Sequence, residues 1–171
     1  MLVALVGYMG SGKTTIGRAI ANRLCVPFID LDAEIEKQEG KLISEIFRTK
    51  GESEFRHIES NVLHSMLTAH STGIIATGGG TPCFFNQMEE LNKHCITIYL
   101  ECSLETLLHR LANSADERPL LSTLTDREAH FLERVACYAK AQHIVNADDS
   151  LTEILNQMEQ LILPFTKEIE T

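Results

Sequence analysis

The chain has 171 residues, of which 44% are hydrophobic, and it carries 15 Lys and Arg against 24 Asp and Glu. A chain of this length and composition can bury the core of one domain without disulfides or structural metals. Its formal net charge of −9 excludes the broad basic surface that nucleic acids and anionic membranes attract. Any anionic ligand must therefore be held by a few local cations.

The cysteines and the apolar runs bear on where the protein acts. The five cysteines are scattered, without the CxxC or Cys/His spacing of a disulfide framework or a zinc site. No apolar run approaches the ~20 residues that a spanning helix needs, and no basic segment of a secretion signal precedes the first run. We therefore predict a cytoplasmic protein that binds neither membrane nor nucleic acid.

Short apolar runs alternate with stretches of helical periodicity along the chain. The runs occupy residues 2–6, 27–29, 73–76, 95–100 and 143–145. Helical spacing follows the first run, Ser103 and Ser150, and Ser150 forms a capping-box pattern with Glu153. The alternation predicts an α/β fold in three α/β/α layers, with a mostly parallel sheet, the first run at its centre and ligands at the carboxyl ends of its strands.

Nothing in the sequence divides the chain into parts. Internal repeats, linkers and low-complexity segments are absent from it, so residues 1–171 are predicted to form a single domain. The polar stretch 113–125 contains Pro119 and is long for a connection within a compact domain. We predict that this stretch is a mobile loop.

The most informative stretch is GYMGSGKT, residues 7–14, which follows the first apolar run and precedes a helical stretch. It matches GxxxxGK(S/T), with Gly7, Gly12, Lys13 and Thr14 at the fixed positions. Glycines permit the positive φ angles that turn backbone N–H groups toward phosphates, and the helix N-terminus adds partial positive charge. Lys13 is predicted to reach the β and γ phosphates and the Thr14 hydroxyl to bind Mg²⁺. The stretch predicts a kinase or a nucleoside triphosphatase.

Two carboxylates follow the second apolar run, in FIDLD. Asp30 and Asp32 would lie at the sheet edge that carries the phosphate loop if the first two strands are neighbours. Carboxylates at that edge can bind Mg²⁺ or accept a proton from a nucleophile. A helix N-cap is an equally good interpretation of either residue, and Asp32 before AEIE suits one. The residues alone leave both interpretations open.

Two further motifs have both a functional and a plain structural interpretation. In GESEFRHIES, a spacing of three puts Arg56 and Glu59 on one helix face, where a solvated ion pair is the more frequent outcome and a binding site the rarer one. In IIATGGGTP, Gly78, Gly79 and Gly80 follow a buried run. They form either a tight turn or a set of unobstructed backbone N–H groups at the ligand edge.

Three arginines in the second half of the chain are candidates for a site. Arg110 precedes the polar stretch, Arg118 lies within it, and Arg134 follows it in ERVACYAKA. An arginine on a mobile loop can neutralise charge on a transferred phosphoryl group, and a guanidinium can hold a carboxylate with two parallel hydrogen bonds. Taken singly, each also fits an ordinary surface arginine.

Taken together, GYMGSGKTTIGRAIA, FIDLDAEIE, ISEIF, GESEFRHIE, IIATGGG and ERPLL stand in the order and spacing of the shikimate kinase family, and the resemblance covers nearly the whole chain. It implies a five-stranded parallel sheet of the nucleoside monophosphate kinase type, a P-loop NTPase fold, with a lid at about 113–125 that closes over ATP. It also implies that a monomer, with Mg²⁺, transfers the γ-phosphoryl group of ATP to the 3-hydroxyl of shikimate. The products would be ADP and shikimate 3-phosphate, an intermediate of chorismate and aromatic amino acid biosynthesis.

The resemblance implies roles for the residues at matching positions. Lys13, Asp32 and Arg118 would be catalytic, with Asp32 orienting or deprotonating the attacking hydroxyl. Thr14 would bind Mg²⁺ and Asp30 would reach it through water. The residues implied to hold ATP are Gly10, Ser11, Gly12, Lys13, Thr14, Thr15, Arg110 and Arg118, with Arg110 near the adenine. Those implied to hold shikimate are Asp32, Arg56, Glu59, Gly78, Gly79, Gly80 and Arg134, with Glu59 supporting Arg56.

One stretch departs from the family pattern, and other functions stay open. NADDS, residues 146–150, lacks the basic residue that family members often have near the adenine. The alternatives are a kinase for another small acid such as gluconate, a kinase for a nucleoside monophosphate, and a nucleotide-binding regulator without catalysis. The aspartates, the Arg56 and Glu59 pair and the three glycines argue against the two other kinases. The presence of Lys13, Asp32, Arg56 and Arg118 argues against the regulator. A GTPase is excluded because NKHC lacks the aspartate of the guanine-selecting NKxD motif.

Overall fold

The structure is a computed structural model that describes residues 1–112 and 127–166. Within these ranges five strands alternate with helices. The strands are β1 (Leu2–Val6), β2 (Phe28–Asp30), β3 (Gly73–Ala76), β4 (Ile96–Glu101) and β5 (His143–Asn146). The helices are α1 (Lys13–Leu24), α2 (Leu31–Glu39), α3 (Ile43–Ala69), α4 (Gln87–His94), α5 (Leu104–Ala112), α6 (Arg127–Tyr138) and α7 (Leu151–Thr166), and a short 3₁₀ turn spans Thr81–Cys83.

The strands form one parallel sheet in the order β2-β3-β1-β4-β5. All five residues of β1 are buried, which explains why LVALV is apolar throughout instead of alternating with polar residues. The α/β prediction and the central place of the first run are confirmed. The first two strands, whose adjacency was the condition for placing Asp30 and Asp32 beside the phosphate loop, are not neighbours, because β3 lies between them and pairs with both.

The core is formed where the sheet meets the helices that cover it. Fully buried side chains come from the central strands, including Leu5, Ile75 and Ile98, and from covering helices, including Ile20 and Leu91. Burying a Leu or Ile side chain contributes roughly 1.5–3 kcal/mol. The strands are therefore held rigidly, and their carboxyl ends form a fixed platform for the loops that follow.

Local sequence signals set several helix ends. Ser103 caps α5, since its hydroxyl accepts a 3.3 Å hydrogen bond from the backbone N–H of Thr106. The predicted capping box before α7 is present, because Glu153 accepts from the Ser150 N–H and Ser150 accepts from the Glu153 N–H. Within α3, Gly51 departs from helical geometry with φ 81° and ψ 172°, which kinks the helix.

No helix in the described ranges is both long enough and apolar enough to cross a membrane.

Candidate active site

The loop between β1 and α1 is shaped by glycines with positive φ. Gly7, Gly10 and Gly12 have φ values of 147°, 85° and 94°, a region that favours glycine. At Gly7 a side chain also lacks room, because a Cβ there would lie 2.9 Å from the Leu100 carbonyl oxygen. The prediction that these glycines adopt positive φ is confirmed. The loop ends at the N-terminus of α1, where backbone N–H groups and the helix dipole favour an anion.

Lys13 lies at the start of α1 and is folded over the loop. Its Nζ donates hydrogen bonds to the carbonyl oxygens of Gly7, at 2.7 Å, and Tyr8, at 2.9 Å. The side chain is only 8% exposed. The ammonium group is thus held next to the loop that would surround a phosphate.

Asp30 links the phosphate loop to the second strand. The Thr14 hydroxyl donates a 2.9 Å hydrogen bond to Asp30 Oδ2, and Asp30 Oδ1 accepts a 3.1 Å hydrogen bond from the Asp32 backbone N–H. Asp30 is therefore the N-cap of α2, and Asp32 lies in the first turn of that helix. The interpretation of Asp32 as the cap is wrong, because β2 extends one residue further than predicted and the helix begins at Leu31.

Arg56 and Glu59 form a buried ion pair. Their side chains are 4% and 1% exposed, and Arg56 Nη1 lies 2.9 Å from Glu59 Oε2. Glu59 Oε1 also accepts a 2.6 Å hydrogen bond from the Thr81 hydroxyl. The solvated ion pair considered from the sequence is therefore the wrong interpretation of these two residues. A buried pair of this kind holds its arginine in a fixed position, because separating the two charges would leave each buried without a partner, which is strongly destabilising.

Three more groups surround the Arg56 guanidinium. It lies over the ring of Phe84, at 4.4 Å from the ring centroid, and beside Phe55 at 5.2 Å. Its Nη2 is 3.0 Å from Glu52 Oε1, and the Glu52 side chain is 44% exposed. Neither Phe84 nor Glu52 is identified from the sequence, since Phe84 lies 28 positions away and Glu52 precedes Arg56 in a helix rich in charges.

The three consecutive glycines are required by the packing around them. None of Gly78, Gly79 and Gly80 is among the residues with positive φ. A Cβ on Gly80 would lie 2.5 Å from Arg56 Nη2, and one on Gly78 would lie 2.8 Å from Glu59 Oε1. A Cβ on Gly79 would meet the Met9 backbone nitrogen at 3.1 Å. These glycines leave space for the buried ion pair and the phosphate loop, which the interpretation as a plain tight turn does not include.

Helix α6 brings Arg134 and Tyr138 to the same region. Arg134 is 6% exposed, and its Nη1 has no hydrogen-bond partner among the described residues. The Tyr138 hydroxyl donates to the Gly79 carbonyl oxygen, and the ring is fully buried, which raises the pKa of Tyr138 well above its usual value. Helix α6 also contacts the phosphate loop, where His130 Nδ1 lies 2.7 Å from the Tyr8 hydroxyl. Sequence reasoning missed Tyr8, which is at a variable position of the phosphate-loop motif, and Tyr138, which no motif contains.

Two cavities meet at the carboxyl ends of the strands. The first, of about 580 Å³, is lined by the phosphate loop, Arg110 and the segment that begins at Ala147. The second, of about 510 Å³, is lined by Arg56, Arg134, Glu59, the three glycines and apolar side chains of α3. We call this second cavity the arginine pocket. Asp30, Asp32 and Gly79 line both cavities, so a group bound in one can reach a group bound in the other beside Asp32.

Arg110 lines the first cavity and bridges two of its segments. Its Nη2 donates a 2.9 Å hydrogen bond to the Ala147 carbonyl oxygen, and its Nη1 lies 3.4 Å from the Gly10 carbonyl oxygen. Asp148, which follows Ala147 in the chain, accepts hydrogen bonds from the Cys102 thiol at 2.9 Å and from the Ser103 N–H at 3.0 Å. These hydrogen bonds lower the pKa of Asp148 to about 2. The NADDS segment, which has no basic side chain, thus contributes a carboxylate that anchors it to the start of α5.

Of the remaining predicted site residues, two lie at the phosphate loop and one lies outside the described residues. Ser11 is fully buried in the phosphate loop, and Thr15 lines the first cavity. Arg118 and the predicted lid, 113–125, lie outside the described residues.

Comparison with known proteins decides the family. A family model for shikimate kinase matches residues 9–163. The chain belongs to the shikimate kinase family. A shikimate kinase from Bacteroides thetaiotaomicron is 41% identical over 153 residues, which cover 86% of this chain and 87% of the relative. One from Parabacteroides distasonis is 43% identical over 157 residues, 88% of this chain and 90% of the relative.

Solved structures of shikimate kinases agree with this assignment. The crystal structure of shikimate kinase from Acinetobacter baumannii in complex with shikimate has a TM-score of 0.82 and 32% identity, covering 95% of this chain and 93% of that one. The predicted P-loop kinase fold with a five-stranded parallel sheet is confirmed.

Proposed function

We propose that this protein transfers the γ-phosphoryl group of ATP to the 3-hydroxyl of shikimate, producing ADP and shikimate 3-phosphate. The observation that carries the proposal is the meeting of two cavities at Asp32, one built around a phosphate loop and the other around two buried arginines. Shikimate carries a carboxylate and three hydroxyls. A guanidinium binds a carboxylate through parallel hydrogen bonds, and carboxylates accept from hydroxyls.

On the nucleotide side, the loop N–H groups of Gly10 to Thr15 and Lys13 would hold the ATP phosphates. Thr14 and Asp30 present two oxygen ligands beside them, 2.9 Å apart. Among the described residues no cluster of His, Cys, Asp and Glu could hold a metal ion alone, so phosphate oxygens and water would complete the coordination of Mg²⁺, as this ion prefers. Bound Mg²⁺ supplies neutralisation of phosphate charge.

On the acceptor side, Arg56 and Arg134 would bind the carboxylate of shikimate. The ion pair with Glu59 fixes the position of Arg56. Arg134 Nη1 has no hydrogen-bond partner among the described residues, so it can donate to a carboxylate oxygen of the substrate. Burying such a group without a partner costs about 1–3 kcal/mol, which an acidic substrate would recover. The three glycines would line the ring of the substrate.

Asp32 would orient the attacking hydroxyl and accept its proton. It lines both cavities, so its carboxylate can contact a hydroxyl that faces the γ-phosphate. In-line phosphoryl transfer depends mainly on positioning and neutralisation of charge, which a fixed pair of sites supplies. We further propose that Arg118 neutralises the transferred group and that Arg110 contacts the adenine.

Three further expectations belong to this proposal. The residues 113–125 would close over ATP and exclude water, which limits ATP hydrolysis. The protein would act as a monomer in the cytoplasm, a reducing compartment that suits a chain whose five cysteines are free. A sedimentation measurement at working concentration tests the monomer.

A coupled ADP-release assay with ATP and Mg²⁺ tests the activity. Shikimate, gluconate and the nucleoside monophosphates serve as acceptors, and a reaction without acceptor measures hydrolysis. We expect turnover with shikimate alone. Turnover with gluconate or a nucleoside monophosphate in place of shikimate would support the assignment as a kinase and contradict the assignment of shikimate as its substrate. ATP binding without transfer to any acceptor would favour a nucleotide-binding regulator.

A further inference from the structure

Two cysteines, one in the turn after the three glycines and one in α6, line the same small cavity. Cys83 ends the 3₁₀ turn that follows the three glycines, and Cys137 lies in α6. Pro82, which directly precedes Cys83, lines the same cavity, and each cysteine shifts the pKa of the other. The Cys137 thiol also lies 3.0 Å from the Pro82 carbonyl oxygen. We call Cys83 and Cys137 the thiol pair.

A separate cavity of about 250 Å³ gives access to the thiol pair. Both cysteines line it, together with Pro82, Asn86, Met88, Glu89, Ala136 and Lys140. Lys140 and Glu89 are exposed, and both cysteines are partly exposed. The cavity is smaller than the roughly 300 Å³ at the low end for whole small-molecule ligands. It therefore suits one end of a small thiol reagent.

The two sulfur atoms have unequal surroundings. The Cys83 thiol, with the positive charges of Lys140 and Arg134, lowers the pKa of Cys137 to about 7, although burial and the Pro82 carbonyl favour the protonated form. The Cys137 thiol and burial raise the pKa of Cys83 far above its usual value. A thiolate, not a thiol, attacks a disulfide. Cys137 is thus the attacking residue and Cys83 the resolving one.

We propose that Cys83 and Cys137 form a reactive dithiol site that exchanges with low-molecular-weight disulfides and closes to an internal disulfide. In the first step the Cys137 thiolate attacks one sulfur of the disulfide RSSR, forming a Cys137–SR bond and releasing RS⁻. In the second step Cys83 loses its proton and attacks Cys137 Sγ, forming the Cys83–Cys137 bond and releasing the second RS⁻. Two protein thiols are oxidised, and RSSR is reduced to two RSH once protonated.

Closure of this disulfide would act on the arginine pocket, a consequence that rests on the proposed function. A disulfide brings two sulfurs to about 2 Å, closer than two sulfurs that are not bonded can approach. The contraction must be absorbed by the 3₁₀ turn or by α6. The turn leads into Phe84, which lies against Arg56, and α6 carries Arg134 and Tyr138. Both arginines that face the substrate carboxylate are therefore adjacent to the link.

Mass spectrometry of the whole protein tests the covalent step. Reduced protein is incubated with glutathione disulfide, and peptide mapping then locates the modified cysteines. We expect the Cys83–Cys137 link in the wild-type chain, a stable glutathione adduct on Cys137 in Cys83→Ser, and no modification of Cys83 in Cys137→Ser. Cys25, which is exposed, serves as the internal control for general reactivity. Absence of the link at concentrations that fully modify Cys25 overturns the dithiol site.

Kinetics of the same samples test the effect on the arginine pocket. Because misplacement of binding groups by about 1 Å can cost up to a hundredfold, we expect the KM for shikimate to rise on the order of tenfold on oxidation, with the KM for ATP unchanged. Reduction with dithiothreitol should restore it, and Cys137→Ser, which forms neither the link nor an adduct at these positions, should lack this rise. An unchanged KM for shikimate in protein shown to carry the link overturns the coupling. If reduced wild-type protein does not phosphorylate shikimate, the proposed function fails, while the mass measurement still decides the dithiol site.

Discussion

The phosphate loop and the arginine pocket meet at Asp32 but are built in different ways. The phosphate loop is one continuous stretch, residues 7–14, and its shape comes from positive φ angles at glycines. The arginine pocket combines side chains from α2, α3, α6 and the segment after β3. Its glycines have no positive φ, and they are present because a side chain would collide with Arg56, Glu59 or Met9. Glycine thus serves backbone conformation in one region and space for neighbours in the other.

Substitutions in the two regions should affect different steps of the reaction. A defect in the phosphate loop should act on ATP and on catalysis, since one local segment carries the whole task. A defect in the arginine pocket should act on the acidic substrate, and it should also affect stability where it exposes a buried charge. Separate measurements of ATP binding, shikimate KM, kcat and unfolding temperature distinguish these effects.

Lys13→Ala tests the phosphate loop. We expect kcat to fall on the order of a thousandfold, because a preorganised positive group is removed from the place where phosphoryl charge develops. The matched control is Lys37→Ala, which removes a lysine that is 75% exposed. A kcat close to the wild-type value in the coupled ADP assay would contradict the role of Lys13.

Asp32→Asn tests the residue at which the two regions meet. The change keeps the shape of the side chain and removes its charge, so we expect kcat to fall by roughly a hundredfold or more. Nucleotide affinity, measured by fluorescent ATP-analogue displacement, should stay within about twofold, since one loop carries it. Glu34→Gln, a partly exposed carboxylate in the same helix, is the control. Wild-type turnover in Asp32→Asn would remove this carboxylate from the mechanism.

Arg56 tests the arginine pocket. Loss of a charge-assisted contact of ~3 kcal/mol corresponds to a rise of about a hundredfold in the KM for shikimate in Arg56→Ala, with ATP binding unchanged. Because this variant leaves Glu59 buried without its partner, Arg56→Lys is measured beside it, and the unfolding temperature of both is recorded. Arg48→Ala, an exposed arginine of the same helix, is the control. Unchanged KM in a folded Arg56 variant would contradict carboxylate binding by this residue.

Gly80→Ala and Gly40→Ala separate space from backbone conformation. At Gly80 the added Cβ would meet the Arg56 guanidinium at 2.5 Å, whereas at Gly40 nothing lies within 4 Å and φ is +64°. We expect Gly80→Ala to lower stability by ~1–3 kcal/mol and raise the shikimate KM about tenfold. Gly40→Ala should lower stability by ~1–2 kcal/mol and leave both KM values unchanged. Equal kinetics in the two variants would contradict the packing argument.

Glu52→Gln should have the smallest effect. The Glu52 carboxylate contacts Arg56 Nη2, where it competes with the carboxylate of the substrate, but at 44% exposure the contact is weak. Removal of an exposed ion pair worth ~0.2–1 kcal/mol should lower the KM for shikimate by up to about fivefold. Glu54→Gln, also exposed, is the control. A higher KM in Glu52→Gln would show that Glu52 positions Arg56 instead of competing.

The two regions also differ in how far the sequence predicts them. The phosphate loop is predicted in position, ligand and backbone conformation, because a local motif contains all its determinants. In the arginine pocket, Arg56, Glu59 and the glycines are found as motifs, but their burial is not, since burial depends on Thr81, Phe84 and α6 packing around them. Of the two aspartates considered as the N-cap of α2, the cap is Asp30 and not Asp32, because β2 runs through Asp30 and the helix begins at Leu31.

Sequence by itself determined the α/β class, the central place of the first strand, the phosphate loop and the family. These follow from signals within a few residues of one another: apolar runs, helical spacing and the fixed positions of a motif. Only the tertiary structure decided that β3 separates β2 from β1, that Arg56 and Glu59 are buried together, and that Tyr138 and Cys137 contact the segment after β3. These contacts join residues that are distant in the chain or turn on burial, and no local pattern encodes the burial that gives them their energy.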